Sequence, residues 1–287
     1  MTIAVMIDGG LVAPDEARVS VFDRGFLFGD SVFETIRTYG GKPFALMEHL
    51  QRLRRSADLV YIRLPVDEAQ LTREILQTVQ AAGNSESYVR VTVTRGQGAV
   101  FGLDPTQAEQ PLRVIIARPL TPLPASAYEL GVDTITFQTM RPSDATLAHG
   151  AKIGNYLVAV LAMRVAKEKD AHEALILDHA GNVVEGATSN LFFVEGGVLI
   201  TPPERAGILP GITRARALVA ARNLGMIVRF ELPTVERLLG ADEVFISSSI
   251  RELVPVVRID GKPVAGARVG VWTEKIMNEF RRIVSSE

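Results

Sequence analysis

The chain contains no cysteine. That excludes disulfides, thiolate metal sites and a cysteine nucleophile, so any covalent chemistry falls to other side chains. No apolar run reaches the ~18 residues that a membrane-crossing helix requires. The opening stretch MTIAVMIDGG lacks the basic start and long apolar segment of a signal peptide, so a cytoplasmic protein is expected, with no membrane partner. Neither sign of charge dominates. The 31 basic and 33 acidic residues leave a formal net charge of -2, without the basic excess of a nucleic-acid binder or the long polar tract of a disordered chain. His49, His149, His172 and His179 lack metal-ligand spacing. No Gly-x-Ser-x-Gly turn supports a Ser–His–Asp triad, and Gly-rich nucleotide fingerprints are absent. Lysine is scarce as well: only Lys42, Lys152, Lys167, Lys169, Lys262 and Lys275 occur, and Lys152 stands alone in a long lysine-free stretch. Lysine is the one basic side chain that gives a useful neutral amine when desolvated.

What is present suffices for a globular protein. Hydrophobic residues make up 47% of 287 positions, enough for a sizeable core, and the length suggests about two domains. Strands are expected at Ile3–Ile7, Arg18–Phe22 and Ser31–Tyr39, the last stopping at Gly40-Gly41 as a hairpin strand would. Leu46, Leu50, Leu53, Ala57 and Val60 recur at helical spacing. A second helix is expected over Asp67–Ala82, closed by Gly83. Strict alternation in Tyr88–Thr94 puts Tyr88, Arg90, Thr92 and Thr94 on one face and Val89, Val91 and Val93 on the other. A buried strand over Leu112–Ala117 completes this region. The proline-rich stretch RPLTPLPAS then marks a linker, giving domains at 1–118 and 129–287 joined by 119–128. Beyond it, helices are expected near Tyr156–Lys167, after Pro210-Gly211 and at the C-terminus, where Trp272, Ile276, Phe280 and Val284 form one stripe. Strands at Glu173–Leu177, Leu191–Val194, Val198–Thr201, Ile227–Glu231, Asp242–Ile246 and Val254–Ile259 alternate irregularly with them. That mixture indicates α+β domains rather than a doubly wound sheet.

Five segments could carry chemistry. Lys152, in His149-Gly-Ala-Lys-Ile-Gly-Asn-Tyr, lies among small and apolar residues just before a helix. It is either a nucleophilic amine with depressed pKa or a surface lysine. Glu185 follows two valines and precedes Gly-Ala; it is either a turn residue or a carboxylate that needs a cation such as a pyridinium nitrogen. Gly211 with the N–H groups of Ile212 and Thr213 opens a helix and could hold a phosphate, or simply form a cap. Ser247-Ser-Ser249 ends a strand and supplies hydroxyl donors for an anion, or a polar loop. Arg52 lies beside an apolar helical stripe, either reaching inward to a buried anion or pairing with Glu48 one turn earlier.

Taken together and in this order, these segments resemble the class IV aminotransferases, pyridoxal-phosphate enzymes of fold type IV. The resemblance spans essentially the whole chain. It runs from Asp23-Arg-Gly-Phe-Leu-Phe-Gly-Asp-Ser-Val-Phe-Glu-Thr-Ile-Arg37 through Glu48-His-Leu-Gln-Arg52-Leu and Lys152-Ile-Gly-Asn-Tyr. It is most specific in Glu185-Gly-Ala-Thr-Ser-Asn190-Leu-Phe and Leu209-Pro-Gly-Ile-Thr-Arg214. It implies a two-domain α+β fold, with an N-terminal α/β sandwich-like domain and a C-terminal pseudo-barrel domain. It further implies pyridoxal 5'-phosphate as cofactor, held through a Schiff base on Lys152, which also relays the proton. Glu185 would pair with the pyridine nitrogen, and Arg52, Ile212, Thr213 and Ser249 would bind the phosphate. Arg214 would be structural or would support the residues that hold the cofactor. The family's homodimeric state would place glycine-rich N-terminal segments in the partner's site.

Substrate choice lies among three reactions. Tyr88-Val-Arg90, Gly102-Leu-Asp-Pro105 and an apolar pocket of Phe28, Phe33 and Val32 resemble branched-chain aminotransferases, although Phe28, Thr35 and Arg251 depart from their usual Tyr, Gly and small residue. Asp23-Arg-Gly and the Ile259-Asp-Gly-Lys closing region resemble D-amino-acid aminotransferases. Their Arg-x-His carboxylate trap is missing, the stretch after Gly96 being Gln97-Gly-Ala-Val-Phe101. Arg24, Arg90 and Arg251 could hold carboxylates instead. Thr35 and Ser249-Ile250-Arg251-Glu-Leu-Val-Pro255 resemble aminodeoxychorismate lyases. Transamination between an amino acid and a 2-keto acid is expected, with branched-chain L-amino acids and 2-oxoglutarate first. Its substrate pocket would draw on Phe28, Phe33, Thr35, Tyr88, Arg90, Ile250, Arg251 and Arg24.

Overall fold

The computed structural model describes residues 2–98, 102–138 and 150–287, so His149 and the stretch 99–101 lie outside it. The chain divides into two compact units. One comprises Met1–Thr121 with Ala151–Asn155, the other Pro122–Gly150 with Tyr156–Glu287. This differs from a linear division at one place. Ala151–Asn155, Lys152 included, belongs to the first unit because its backbone pairs there.

In the first unit, β1 (Ala4–Ile7) and β2 (Gly10–Val12) are followed by α1 (Arg24–Phe28), β3 (Ser31–Tyr39), β4 (Lys42–Pro43), α2 (Leu46–Leu59) and α3 (Glu68–Ala82). Then come β5 (Ser87–Thr94), the short pair β6 (Gln97–Gly98) and β7 (Ala108–Gln110), and β8 (Arg113–Pro119). Six strands form an antiparallel sheet in the order β2-β1-β8-β5-β3-β4. Helices α2 and α3 cover one face. Leu50, Leu53 and Ala57 of α2 and Leu71, Ile75 and Val79 of α3 pack on Val32, Ile36, Val89, Val91 and Val93. Each large side chain buried there stabilises the unit by about 1.5–3 kcal/mol. Helix α3 starts where Asp67 accepts a hydrogen bond from the Gln70 N–H and ends at Gly83 in the left-handed conformation, as expected. The strand expected at Arg18–Phe22 does not form. That stretch finds no ladder partner, and Val21 and Phe22 are exposed. Asp23 instead caps α1 through the Gly25 N–H.

In the second unit, α4 (Ala125–Glu129), a helix where the sequence suggested only a linker over 119–128, precedes β9 (Val132–Gln138), α5 (Leu157–Glu168), β10 (Glu173–Leu177), β11 (Val183–Gly186), β12 (Asn190–Glu195) and β13 (Val198–Thr201). Helix α6 (Ile212–Asn223), β14 (Val228–Phe230), α7 (Val235–Leu239), β15 (Glu243–Ser248), β16 (Glu252–Ile259), β17 (Lys262–Pro263) and α8 (Val271–Ser286) complete it. Nine strands build a mixed sheet, curled as a half-barrel, in the order β11-β10-β9-β16-β15-β12-β13-β14 with β17 on β16. Strand β9 runs parallel to both its neighbours, β10 and β16. The C-terminal stripe seats Ile276 and Phe280 of α8 with Ala217 and Ala221 of α6 against Phe192 and Phe245. The two phenyl rings stack with centroids 4.8 Å apart. No helix among the described residues is long and apolar enough to cross a membrane.

Candidate active site

The predicted site residues fall into two groups, one in each unit. In the first unit the alternation of β3 decides which side chains face α2 and which face away. Val32, Glu34 and Ile36 point to the helices, while Phe33 and Thr35 lie on the other face, with Thr35 directly across from Arg90 of β5. Lys152 is fastened to this strand through its backbone. Its carbonyl accepts from the Phe33 N–H at 3.0 Å, and its own N–H donates to Ser56 Oγ at 3.0 Å. The Gly154 N–H donates to the Ser31 carbonyl at 2.7 Å, and a Cβ on Gly154 would collide with Ser31 Oγ. So fixed, the half-buried Lys152 places its Nζ 4.6 Å from the centre of the Phe33 ring. The Arg90 guanidinium lies 3.8 Å from the same ring. Arg90 makes no ion pair with any described residue, whereas Tyr88, on the same face, carries the Arg118 guanidinium at 5.3 Å. Phe28 remains 40% exposed at the end of α1.

Arg52 does reach inward, and the anion it meets is Glu34. Its Nε and Nη2 donate to the two carboxylate oxygens at 2.7 and 2.6 Å, and His49 Nδ1 contacts Glu34 Oε2 at 2.7 Å. All three side chains are almost fully buried. Burial alone would raise the Glu34 carboxyl. Attraction and hydrogen bonding from Arg52, followed by His49, outweigh it and bring the pKa from 4.5 down to about 2. Burial pushes the His49 imidazole down, with the Arg52 and Lys152 charges adding to it against the pull of Glu34. The sequence reading missed Glu34 and His49. The signal was there: a carboxylate sits between Val32 and Ile36 on the buried face of a strand, where it requires a cation.

The second unit holds the other group. Glu185, on β11 opposite Ile176 of β10, is half-buried. Its Oε2 accepts from Asn190 Nδ2 at 3.2 Å and from the Leu209 N–H at 3.1 Å. Asn190 also donates to the Leu209 carbonyl at 2.8 Å and presses so close to Gly211 that no side chain fits there. Gly211 begins α6, whose first residues are Ile212 and Thr213 and whose start no side chain caps. Ser247, the ladder partner of Asn190 in β15, is buried, and its hydroxyl has no partner among the described residues. Ser249 and Ile250 form the turn between β15 and β16. Arg214 is buried and bonded to the Pro202 carbonyl, Thr201 and Glu204.

Two predicted substrate-binding arginines are committed elsewhere. Arg24 is buried and donates to Asp30, the Gly102 carbonyl and the Leu103 carbonyl at 3.0, 2.7 and 3.2 Å, so its fork anchors loops of the first unit. Arg251 donates through Nη2 to Glu173 at 2.7 Å and to Thr188 Oγ1 at 2.6 Å, and through Nε to Ser248 Oγ at 3.1 Å. Its Nη1 lies 3.2 Å from His172 Nε2. Burial and then the Arg251 charge push His172 down to about 4, so near neutrality the ring is uncharged and accepts from Arg251. Neither arginine offers the bidentate carboxylate grip that the sequence suggested.

The donor and acceptor set suits a phosphorylated pyridine. A carboxylate held by Asn190 matches a protonated ring nitrogen, and an uncapped helix start beside a partnerless buried hydroxyl matches a phosphate.

A two-unit α+β chain with a strand-anchored lysine, an Asn-held carboxylate and such a helix start defines a class of cofactor-dependent enzyme. The chain matches the family model for amino-transferase class IV over residues 31–259 and belongs to that family, which uses pyridoxal phosphate. A provisionally named branched-chain-amino-acid aminotransferase of Methanocaldococcus jannaschii is 39% identical over 279 residues, covering 97% of this chain and 96% of that protein. A D-alanine aminotransferase of Staphylococcus aureus is 33% identical over 283 residues, 98% of each chain. A branched-chain amino acid aminotransferase of the organism abbreviated T.th., solved with pyridoxamine 5'-phosphate, superposes with a TM-score of 0.93 at 30% identity, covering 100% of this chain and 95% of that one. The same protein has also been solved with N-(5'-phosphopyridoxyl)-L-glutamate and with 4-methylvaleric acid.

The buried Glu34 charge yields a prediction. Glu34→Gln leaves Arg52 and His49 facing an uncharged amide and costs about 3–5 kcal/mol at pH 7 by urea denaturation. Because the folded pKa is depressed, the Glu34 contribution is present above 4.5 and lost as pH falls towards 2. The variant therefore loses less stability than the parent protein across that interval. Equal stability at pH 7 contradicts the pairing.

Proposed function

We propose that this enzyme moves an amino group between branched-chain L-amino acids and 2-oxoglutarate in a ping-pong cycle dependent on pyridoxal 5'-phosphate. The observation that carries the substrate reading is the pairing of an apolar ring with a cation that has no ion-pair partner among the described residues, both on one sheet face. Phe33 offers apolar surface to a branched aliphatic side chain, and Arg90 offers a guanidinium to the second carboxylate of 2-oxoglutarate. When bound, the cofactor supplies the aldehyde that receives the amino group and a ring that draws electrons from the substrate Cα.

The chain's own residues do the rest. Lys152 Nζ holds the cofactor and moves the proton at the substrate Cα. Its fixed backbone and the Phe33 ring restrict where that amine can be. Glu185 keeps a positive charge on the ring nitrogen, with Asn190 and the Leu209 N–H orienting the carboxylate. The phosphate falls to the N–H groups of Ile212 and Thr213 and the Ser249 hydroxyl, with Arg52 the fourth residue that the family resemblance assigns to it. Thr35 and Tyr88 line the same face as Arg90, and Phe28 and Ile250 are further substrate contacts in this reading.

Holoenzyme given L-leucine and 2-oxoglutarate is expected to form L-glutamate. Arg90→Ala is expected to raise KM for 2-oxoglutarate roughly ten- to hundredfold, the worth of one charge-assisted contact, with a smaller change for L-leucine. Preferential turnover of D-alanine or D-glutamate transfers the assignment to D-amino acids. Release of pyruvate and p-aminobenzoate from aminodeoxychorismate without an acceptor transfers it to lyase chemistry.

A homodimer is part of the same proposal. Val21, Phe22, Phe26 and Phe28 before β3, and Leu157, Val160 and Leu161 on α5, are large apolar side chains left exposed in the single chain. Covering such surface favours association with a second copy. Light scattering on the purified protein should give twice the chain mass at micromolar concentration. A single-chain mass under those conditions contradicts it.

A further inference from the structure

Arg251 holds together two turns of the second unit that are far apart in sequence. One is the turn between β15 and β16, which carries Ser249. The other follows Glu185 and carries Thr188 and Ser189. On the first side, the Arg251 side-chain Nε donates to Ser248 Oγ at 3.1 Å, and its backbone carbonyl accepts from Tyr128 OH at 3.0 Å. On the second side, Nη2 donates to Thr188 Oγ1 at 2.6 Å and to Glu173 Oε2 at 2.7 Å. Glu173 is fully buried, and its Oε2 also accepts from Thr188 Oγ1 at 2.8 Å and from Ser189 Oγ at 3.3 Å. The uncharged His172 ring closes the remaining edge at Nη1. Directly before the Ser248 contact comes Ser247, whose buried hydroxyl has no partner among the described residues.

We infer that Arg251 is a positioning residue: a guanidinium strut, braced on Glu173 and Thr188, that aims the Ser247–Ile250 turn at the cofactor phosphate. The inference rests on the proposed cofactor. A hydroxyl turn between two strands is mobile unless something fixes its far end, and hydrogen bonds to a charged group are the strong kind. One planar fork reaching Ser248, Thr188 and Glu173 at once does that, and a lysine cannot reproduce it. The consequence is selective. Loosening the strut weakens the grip on phosphate and leaves contacts to the pyridine ring intact, because Glu185 is held by Asn190 and Leu209 rather than by Arg251.

The test compares pyridoxal 5'-phosphate with pyridoxal, which has the same ring and aldehyde and no phosphate, titrated into cofactor-free protein by absorbance. Arg251→Ala is expected to raise Kd for pyridoxal phosphate about tenfold and that for pyridoxal less than twofold. Arg251→Lys should fall between. Thr188→Val, at an exposed position with little consequence for folding, should give a few-fold loss of the same selectivity. Added to Arg251→Ala it should cost nothing more, since both changes remove one strut. Equal weakening of both ligands together with a lower melting temperature overturns the inference, leaving Arg251 a general framework residue. Unchanged affinities overturn it as well. Should Arg251→Ala not fold, Thr188→Val decides alone by the same ratio. If the parent protein binds neither aldehyde, the proposed cofactor fails, and the strut fails with it.

Discussion

The carbonyl of Lys152 accepts a hydrogen bond from the amide of Phe33, and much of the site's geometry follows from that contact. It draws Ala151–Asn155 out of its sequence surroundings and into the first unit. It also sets the lysine amine over an aromatic ring on the sheet face that carries Arg90 and Thr35. A flexible lysine on a loop would spend most of its time in water, fully protonated. One whose backbone is stitched to a strand and whose stem lies on a phenyl ring has far fewer places to go, and part of the entropy of positioning is met on folding.

The opposite face of β3 gives that arrangement its rigidity. Glu34 points into the helical layer and binds Arg52 through both carboxylate oxygens while also contacting His49. Buried ion pairs of this kind contribute little net stability compared with apolar packing, yet losing one partner is expensive. Their effect is to fix register. With Glu34 locked to α2, β3 cannot slip by a residue without exchanging Phe33 and Glu34 between faces. The second unit uses a related device, a buried Glu173 gathering Arg251, Thr188 and Ser189.

Elements whose pattern is local were readable in the sequence. The alternation of β5, the apolar stripes of α2 and α8, and the Asp67 and Gly83 ends of α3 all appear where spacing and capping chemistry put them. The lysine, the Glu185 carboxylate and the Gly211 helix start stand out in the sequence because each is an unusual residue for its neighbours, and the fold shows what their backbones and side chains touch. What escaped depends on distant partners. Strand β9 is held by parallel pairing with β10 and β16, which no local period encodes. Arg24 and Arg251 read as spare cations because Asp30 and Glu173, which neutralise them, reach them only through the fold. Arg18–Phe22 has strand-like residues and finds no strand to join.

The central claim is that one amine, that of Lys152, carries the chemistry. Incubating the protein with pyridoxal 5'-phosphate, reducing it with borohydride and mapping the peptides by mass spectrometry tests this directly. The account predicts a phosphopyridoxyl group on the peptide containing Lys152, in near-stoichiometric amount, with Lys42, Lys167, Lys169, Lys262 and Lys275 unmodified. A label spread over those lysines, or absent from Lys152, would contradict it.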